Sequence, residues 1–393
     1  MWITGVSTSK SSDLNLAALL GGVALCLLAL LMIVYSVRLW QAARAGDTRI
    51  GGDFAAFYAG GTVYRSGGNP YDRAALQQAL HSLRPTMPTD HELPFLYPPP
   101  FLSLFGLLSR LPYVWAYAAL MLISTALYIV TLRLLWREYL PHIPFPWYAA
   151  PALLYPPFLH TILDGQLSAL ACLSLAGFVV GTERKSDAMA GLSLALCVFK
   201  PPMLLLPACA LLFTRRWRTL LYLSLGCAAL VLLSLLMGWQ LYVDYLRTLL
   251  DYARQTSSGA FRLQFYQYVD FSSQLAAWNI RARFFVLLTG IGLTYLLRRR
   301  ANYMAAVICL VPIFSIHTAS YDGIILIIPL TVLLRERAPG WKWLAATLVL
   351  TPLIAAPLAK LTTLQIQKFV ILTLCWFISR RPRYFECDDR DAR

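Results

Sequence analysis

The chain has 393 residues, of which 58% are hydrophobic and 13% charged, where an ordinary globular protein carries about 25% charged residues. This excludes an ordinary soluble fold and predicts an all-α polytopic membrane protein, because about 12 helices of about 20 residues would use about three fifths of the chain. The net charge of +15 rests on an excess of Arg over Lys scattered between apolar segments, which excludes a nucleic-acid face, and the eight Cys show no paired or metal-type spacing.

The first apolar stretch, Leu16 to Val37, is too long for a signal-peptide core and reads as an uncleaved anchor, with the amino terminus in the cytoplasm. Residues 38–96 follow as a large extracytoplasmic loop rich in Gly, Pro and aromatics, long enough to carry chemistry. Membrane helices are then expected over 97–238, a second extracytoplasmic loop over 239–283, further helices over 284–379 and a cytoplasmic tail over 380–393. The whole forms one integral membrane domain, 1–393.

Orientation follows from six basic clusters: Arg133 with Arg137, Arg184-Lys185, Arg215 to Arg218, Arg298 to Arg300, Arg335 with Arg337 and Lys342, and Arg380 to Arg383. The positive-inside rule puts all six in the cytoplasm. Parity between them gives about 12 full spans, with the Pro-led run at 97–109 only half inserted. The pair at 188–213 offers too few residues per helix to cross hydrocarbon of about 30 Å.

Ionisable residues at outer helix ends carry the functional information, since a charge in the membrane costs about 2.5–3.5 kcal/mol and needs a partner or a purpose. Asp53 follows Gly51-Gly52 and precedes Phe54-Ala55-Ala56-Phe57-Tyr58. It is either a helix N-cap or a general base positioned at a helix start. Asn69-Pro70-Tyr71-Asp72 reads as a turn, and Tyr97-Pro98-Pro99-Pro100 as a rigid entry into the membrane. Asp164-Gly165-Gln166 and Phe199-Lys200-Pro201-Pro202 occupy the bends of two consecutive hairpins. Lys200, fixed between Phe199 and two prolines, is suited to hold a phosphate, and the alternative is a snorkelling lysine. Gln166 either caps a helix or binds a sugar hydroxyl. His317, Tyr321 and Asp322 lie at another outer bend, with His317 and Tyr321 on one face if the segment is helical. The second loop adds Tyr242, Tyr245, Tyr252, Tyr266 and Tyr268 with Arg247, Arg254 and Arg262, suited to interfacial anchoring and to stacking on sugar rings. There is no P-loop, dinucleotide fingerprint or HExxH helix.

In order, an early Asp-Phe with a following Tyr, Gly68-Asn69-Pro70-Tyr71, Tyr97-Pro-Pro-Pro, Gly165-Gln166, Lys200-Pro201 and His317 with Tyr321-Asp322 resemble glycosyltransferase family 87. These are polyprenyl-phosphate-mannose-dependent mannosyltransferases of GT-C fold, and the similarity spans about Gly52 to Asp322. Asp164 stands where the pattern has an Asn-like residue, and Ile316 where Pro is common.

The resemblance implies a metal-independent, inverting transferase without a cofactor, in the cell membrane with its active site on the extracytoplasmic face. It would move a hexose, mannose first, from a polyprenyl-phosphate sugar to a lipid or glycan acceptor. Asp53 would be the base, Lys200 and His317 would hold the donor phosphate, and Tyr58, Tyr71, Tyr97, Gln166, Tyr321 and Asp322 would shape the sugar and acceptor site. A pentose (arabinosyl-type) transferase is the nearer alternative. A lipid-linked-sugar transporter or flippase is the more distant one, since paired discontinuous helices in an internal repeat are not evident.

Overall fold

A computed structural model of the protein describes residues 9–45, 47–85, 93–257, 267–316, 318–337, 340–362 and 364–380. Among them the regular elements are helices, and Tyr268 pairs with Ala319 in an isolated antiparallel bridge. The elements are α1 (Ser9–Ala45), α2 (Phe54–Arg65), α3 (Arg73–Leu83), α4 (Pro100–Leu108), α5 (Tyr113–Tyr139), α6 (Phe145–Leu153), α7 (Pro156–Asp164), α8 (Ser168–Glu183) and α9 (Asp187–Ala195). They continue with α10 (Pro201–Phe213), α11 (Trp217–Leu236), α12 (Trp239–Ser257), α13 (Phe271–Ala277), α14 (Arg283–Leu297), α15 (Tyr303–Phe314), α16 (Ile327–Glu336), α17 (Trp341–Thr362) and α18 (Gln367–Ser379). Two 3₁₀ segments, Leu196–Phe199 and Ser320–Leu326, interrupt the series at the places where ionisable residues cluster.

Among the described residues two helices, α5 and α11, are long and apolar enough to cross a bilayer unaided and seven further apolar stretches are shorter, where about twelve spans are expected from the sequence. Proline lacks an amide donor and is best placed in a first helical turn: Pro156-Pro157 open α7, Pro201-Pro202 open α10 and Pro100 opens the nine-residue α4, while Pro151, Pro207, Pro312, Pro352 and Pro357 lie inside helices. On α11, Leu221, Leu225, Leu232, Leu233 and Leu236 are exposed, the apolar outer surface expected of a helix that faces lipid tails.

The centre is built from helices that are apolar on all sides. All of α15 from Tyr303 to Phe314 is buried, as is nearly all of α8, which packs between α5, α9 and the 3₁₀ segment at 320–326. A helix with no polar face has to be enclosed by others. The segment between α1 and α4 is tied down by polar contacts instead. The Arg84 guanidinium donates to the carbonyls of Thr48 (2.7 Å) and Ile50 (2.8 Å), and the Tyr113 hydroxyl donates to Ile50 O (2.7 Å). These bonds fix the chain that leads into Gly51 and so fix the start of α2. At the far side of the loop Asn69 donates to Asp244 of α12 (2.8 Å), and the rings of Tyr71 and Tyr245 meet with centroids 5.8 Å apart.

Candidate active site

Asp53 directly precedes α2, yet its side chain makes no capping hydrogen bond; its Oδ2 accepts from Gln166 Nε2 at 2.5 Å. The simple cap is therefore not what the geometry uses the carboxylate for, although the same residue type does cap α3, where Asp72 accepts from the Ala74 amide at 2.8 Å. Gln166 reaches Asp53 because Gly165 ends α7 at φ +68°, a left-handed conformation that a β-carbon disfavours. A β-carbon there would also lie 2.5 Å from Phe54 Cβ. The turn at 164–166 and the turn at 51–53 thus interlock, and the pairing of Asp53 with Gln166 is a product of two backbone bends.

From Gln166 the network extends inward. Its Oε1 accepts from the Tyr97 hydroxyl at 3.2 Å, and the Tyr71 hydroxyl donates to Tyr97 O at 2.7 Å. Tyr97 stacks on Phe199, with ring centroids 5.9 Å apart and planes 9° from parallel. The sugar-site candidates Tyr71, Tyr97 and Gln166 therefore form one layered unit, held on the Tyr-Pro-Pro-Pro segment by the residue next to Lys200.

Lys200 directly precedes α10 and donates to Asp322 Oδ1. Its ammonium also lies 4.8 Å from the centroid of the Tyr321 ring. Asp322 is only 1% exposed, a position a carboxylate occupies at low cost only when its oxygens are fully satisfied. Besides Lys200, Ser168 Oγ donates to Oδ1 at 2.9 Å and the Ala319 amide to Oδ2 at 3.1 Å. The Lys200 side chain keeps 22% exposure, so the cation is braced from within and still reachable. The Tyr321 phenol also lies near enough to Asp53 to act on its charge, which links the carboxylate side of the site to the cation side.

Burial raises the Asp53 carboxyl above the ordinary carboxylate range, an effect opposed by the Gln166 hydrogen bond, the Lys200 charge and the Tyr321 hydrogen bond, and reinforced by Asp322. Such a group accepts a proton more readily than an exposed Asp. Tyr58 stands apart. Its hydroxyl donates to Leu111 O at 2.9 Å, and its ring packs on Phe54 and Tyr113. His317 lies outside the described residues. The segment after it is not helical in the manner that would put His317 and Tyr321 on one α-helical face: Ala319 is extended and Ser320–Leu326 is a 3₁₀ helix.

Two contributors escape a reading of motifs. Ser168, two residues beyond Gln166, is the first residue of α8, and only the fold shows that this helix start faces Asp322. Asp270 is fully buried between the second loop and the 318–322 turn. It caps α13 through the Ser273 amide (2.7 Å) and accepts from the Thr318 amide (3.2 Å), while Val269 N donates to Thr318 O (2.8 Å). The second loop thereby clamps the backbone from which Tyr321 and Asp322 project. Its interleaved Asp and aromatics were the available signal.

The basic clusters gather elsewhere. Arg184 pairs with Glu138 at 2.7 Å, Arg337 lies 3.4 Å from His142, and Arg335 sits over the ring of Tyr139. All three contacts are at or just beyond the carboxyl end of α5. At its amino end, the Tyr117 hydroxyl donates to Ile162 O at 2.5 Å, beside the Asp53 turn. Tyr117 and Glu138 are separated along the helix by about 30 Å at 1.5 Å per residue, which is the thickness of a bilayer's hydrocarbon core.

The family model of glycosyltransferase family 87 matches residues 95–316, more than half of the chain. No curated protein and no solved structure matches it. The matched region holds the Tyr97, Gln166 and Lys200 positions as well as α5 and α11. The chain therefore belongs to glycosyltransferase family 87, as a membrane glycosyltransferase.

Proposed function

We propose that the protein transfers a hexose, mannose by family resemblance, from a polyprenyl-phosphate sugar to a hydroxyl of a lipid or glycan acceptor, with inversion, on the extracytoplasmic face. The observation that carries the reading is the juxtaposition of two unlike groups. Asp53 is a carboxylate that is not spent on capping, and Lys200 is a reachable cation held by an enclosed partner, with the Tyr321 ring against it. The separation of this site from the basic clusters by about 30 Å of α5 supports the outward orientation under the positive-inside rule.

In the reaction, the acceptor oxygen attacks C1 of the sugar from the side opposite the phosphate. Its proton passes to a carboxylate oxygen of Asp53, the bond from C1 to the phosphate oxygen breaks, and that electron pair stays on the departing polyprenyl phosphate. Negative charge thus moves from Asp53 to the leaving oxygen, where Lys200 stabilises it as it grows. Asp322 holds Lys200 in place, and its own charge is absorbed by Ser168 and the Ala319 amide. Gln166 orients the base, and Tyr97 orients Gln166. His317 takes the second phosphate contact that the resemblance implies.

The test is transfer by the purified protein, in detergent or nanodiscs with EDTA present, from short-chain polyprenyl-phosphate mannose, glucose and arabinose in parallel. Product from the mannose donor, with the opposite anomeric configuration, supports the reading. Transfer from the pentose alone would reassign the donor, and a requirement for a sugar nucleotide would overturn it.

A further inference from the structure

Only Met237 and Gly238 separate α11 from α12, and Gly238 turns the chain at φ +138°, a conformation that a β-carbon disfavours. α11 starts within the basic cluster Arg215 to Arg218 and runs for 20 residues, about 30 Å at 1.5 Å per residue, which matches the hydrocarbon core of a bilayer. Its far end, where Leu232, Leu233 and Leu236 are exposed, therefore reaches the opposite boundary of the bilayer, and α12 starts at that level.

α12 divides into three faces. Leu241, Tyr242, Tyr245 and Leu249 pack inward, and the buried Tyr245 has its ring 5.8 Å from that of Tyr71 and 6.4 Å from that of Tyr242. These two tyrosines, expected from the sequence to suit interfacial anchoring, thus serve the protein interior. A second face carries Trp239, Leu246 and Leu250, which are 67%, 40% and 59% exposed and whose spacing sets them in one stripe about 17 Å long. Arg247 and Arg254 flank that stripe, about 60–80° round the helix from Trp239, while Asp244 and Asp251 stand farther round at about 120–140°. Each Arg is held from behind by one of these acids, Arg247 by Asp244 at 3.2 Å and Arg254 by Asp251 at 3.3 Å. The order apolar, then Arg, then Asp repeats the order acyl chain, phosphate and water at a leaflet surface. A helix standing upright would carry Leu250 about 17 Å into water, whereas one lying in the plane covers the whole stripe at once.

We infer that α12 lies in the plane of the leaflet opposite the basic clusters, its Trp239, Leu246 and Leu250 stripe seated among the upper acyl chains and Arg247 and Arg254 level with the phospholipid phosphates. A guanidinium paired with one carboxylate keeps further donors for a phosphate oxygen. Through the same helix the leaflet braces the candidate site. Asp244 accepts from Asn69 at 2.8 Å, Tyr245 packs on Tyr71, and the Tyr71 hydroxyl donates to Tyr97 O, so the wall that carries Tyr97 rests on a lipid-seated element.

The experiment measures depth at single sites of the full-length protein in nanodiscs of phosphatidylcholine and phosphatidylglycerol. In a cysteine-free background Leu246→Cys and Leu250→Cys report on the stripe, Gln240→Cys and Asp251→Cys on the polar face, and each carries a bimane label. Lipids brominated in the upper acyl chain should quench the labels at 246 and 250 several-fold more than those at 240 and 251, and iodide in the water should reverse the order. Trp239→Cys reads the same stripe if either leucine variant is not monodisperse. Iodide quenching at 246 and 250 equal to that at 251 would put the stripe in water. Shielding of 246 and 250 from both quenchers would mean that a second copy or another protein segment covers it, and either result overturns the inference.

Discussion

Replacing Gln166 by Met keeps the length of the side chain and removes its amide. The bond lost is the one from Nε2 to Asp53 Oδ2 at 2.5 Å, a donor serving the ionised form of the base. Hydrogen bonds to charged groups contribute about 1.5–3 kcal/mol. At about 1.4 kcal/mol per pKa unit, their loss corresponds to a rise of about one to two units in the Asp53 carboxyl. The sign follows from which form is stabilised. Gln166 holds the carboxylate down against burial, so without it protonation occurs at higher pH, and the acid limb of kcat/KM moves up by about one to two pH units. The Tyr97 hydroxyl loses its acceptor in the same variant, which should lower thermal stability modestly, and a Tyr97→Phe, Gln166→Met double variant separates the two effects. The assay is initial transfer rate against pH at several acceptor concentrations. An acid limb that stays within a few tenths of a unit, in a protein that remains folded, would refute the idea that Gln166 tunes the base.

Lys200→Ala should slow turnover more than it weakens donor binding, because a departing phosphate with two charges gains more from the cation than a phosphodiester with one; equal losses in the two measurements would mark Lys200 as a plain binding residue. Gly165→Ala should lower the thermal midpoint and activity together, since the residue has φ +68° and its β-carbon would meet Phe54 Cβ at 2.5 Å; a fully stable, active protein would show that the two turns do not depend on each other. In a cysteine-free background, Ser66→Cys should react with an impermeant thiol reagent from outside intact cells and Lys185→Cys should not. The reverse pattern would invert the orientation.

Composition made the helical membrane architecture legible, and the ionisable residues at apolar boundaries pointed to most of the site. Asp53, Gln166, Lys200, Tyr321 and Asp322 each stand out because a polar group among apolar neighbours has a cost. Which of them meet was not legible. The pairing of Asp53 with Gln166 depends on two turns 113 positions apart in the chain, and the enclosure of Asp322 by Ser168 depends on how α8 packs beside a 3₁₀ segment. Where one helix stops and the next starts was less legible, since hydrophobicity averages over prolines that open helices, such as Pro156 and Pro201, and prolines that lie inside them, such as Pro312 and Pro352. Tyr58, carried over from the Asp-Phe motif with its following Tyr, donates its hydroxyl to Leu111 O, a partner that the motif does not reveal.

The central claim is that Asp53 removes the acceptor's proton, and Asp53→Asn tests it most directly, since it preserves shape and the hydrogen-bond reach toward Gln166 while abolishing basicity. Turnover of polyprenyl-phosphate mannose by the purified variant should fall by about 100- to 10,000-fold, with donor affinity, measured separately, within a few fold of the parent's. Turnover within a few fold of the parent in a monodisperse Asp53→Asn protein would contradict the account and reduce Asp53 to a structural partner of Gln166.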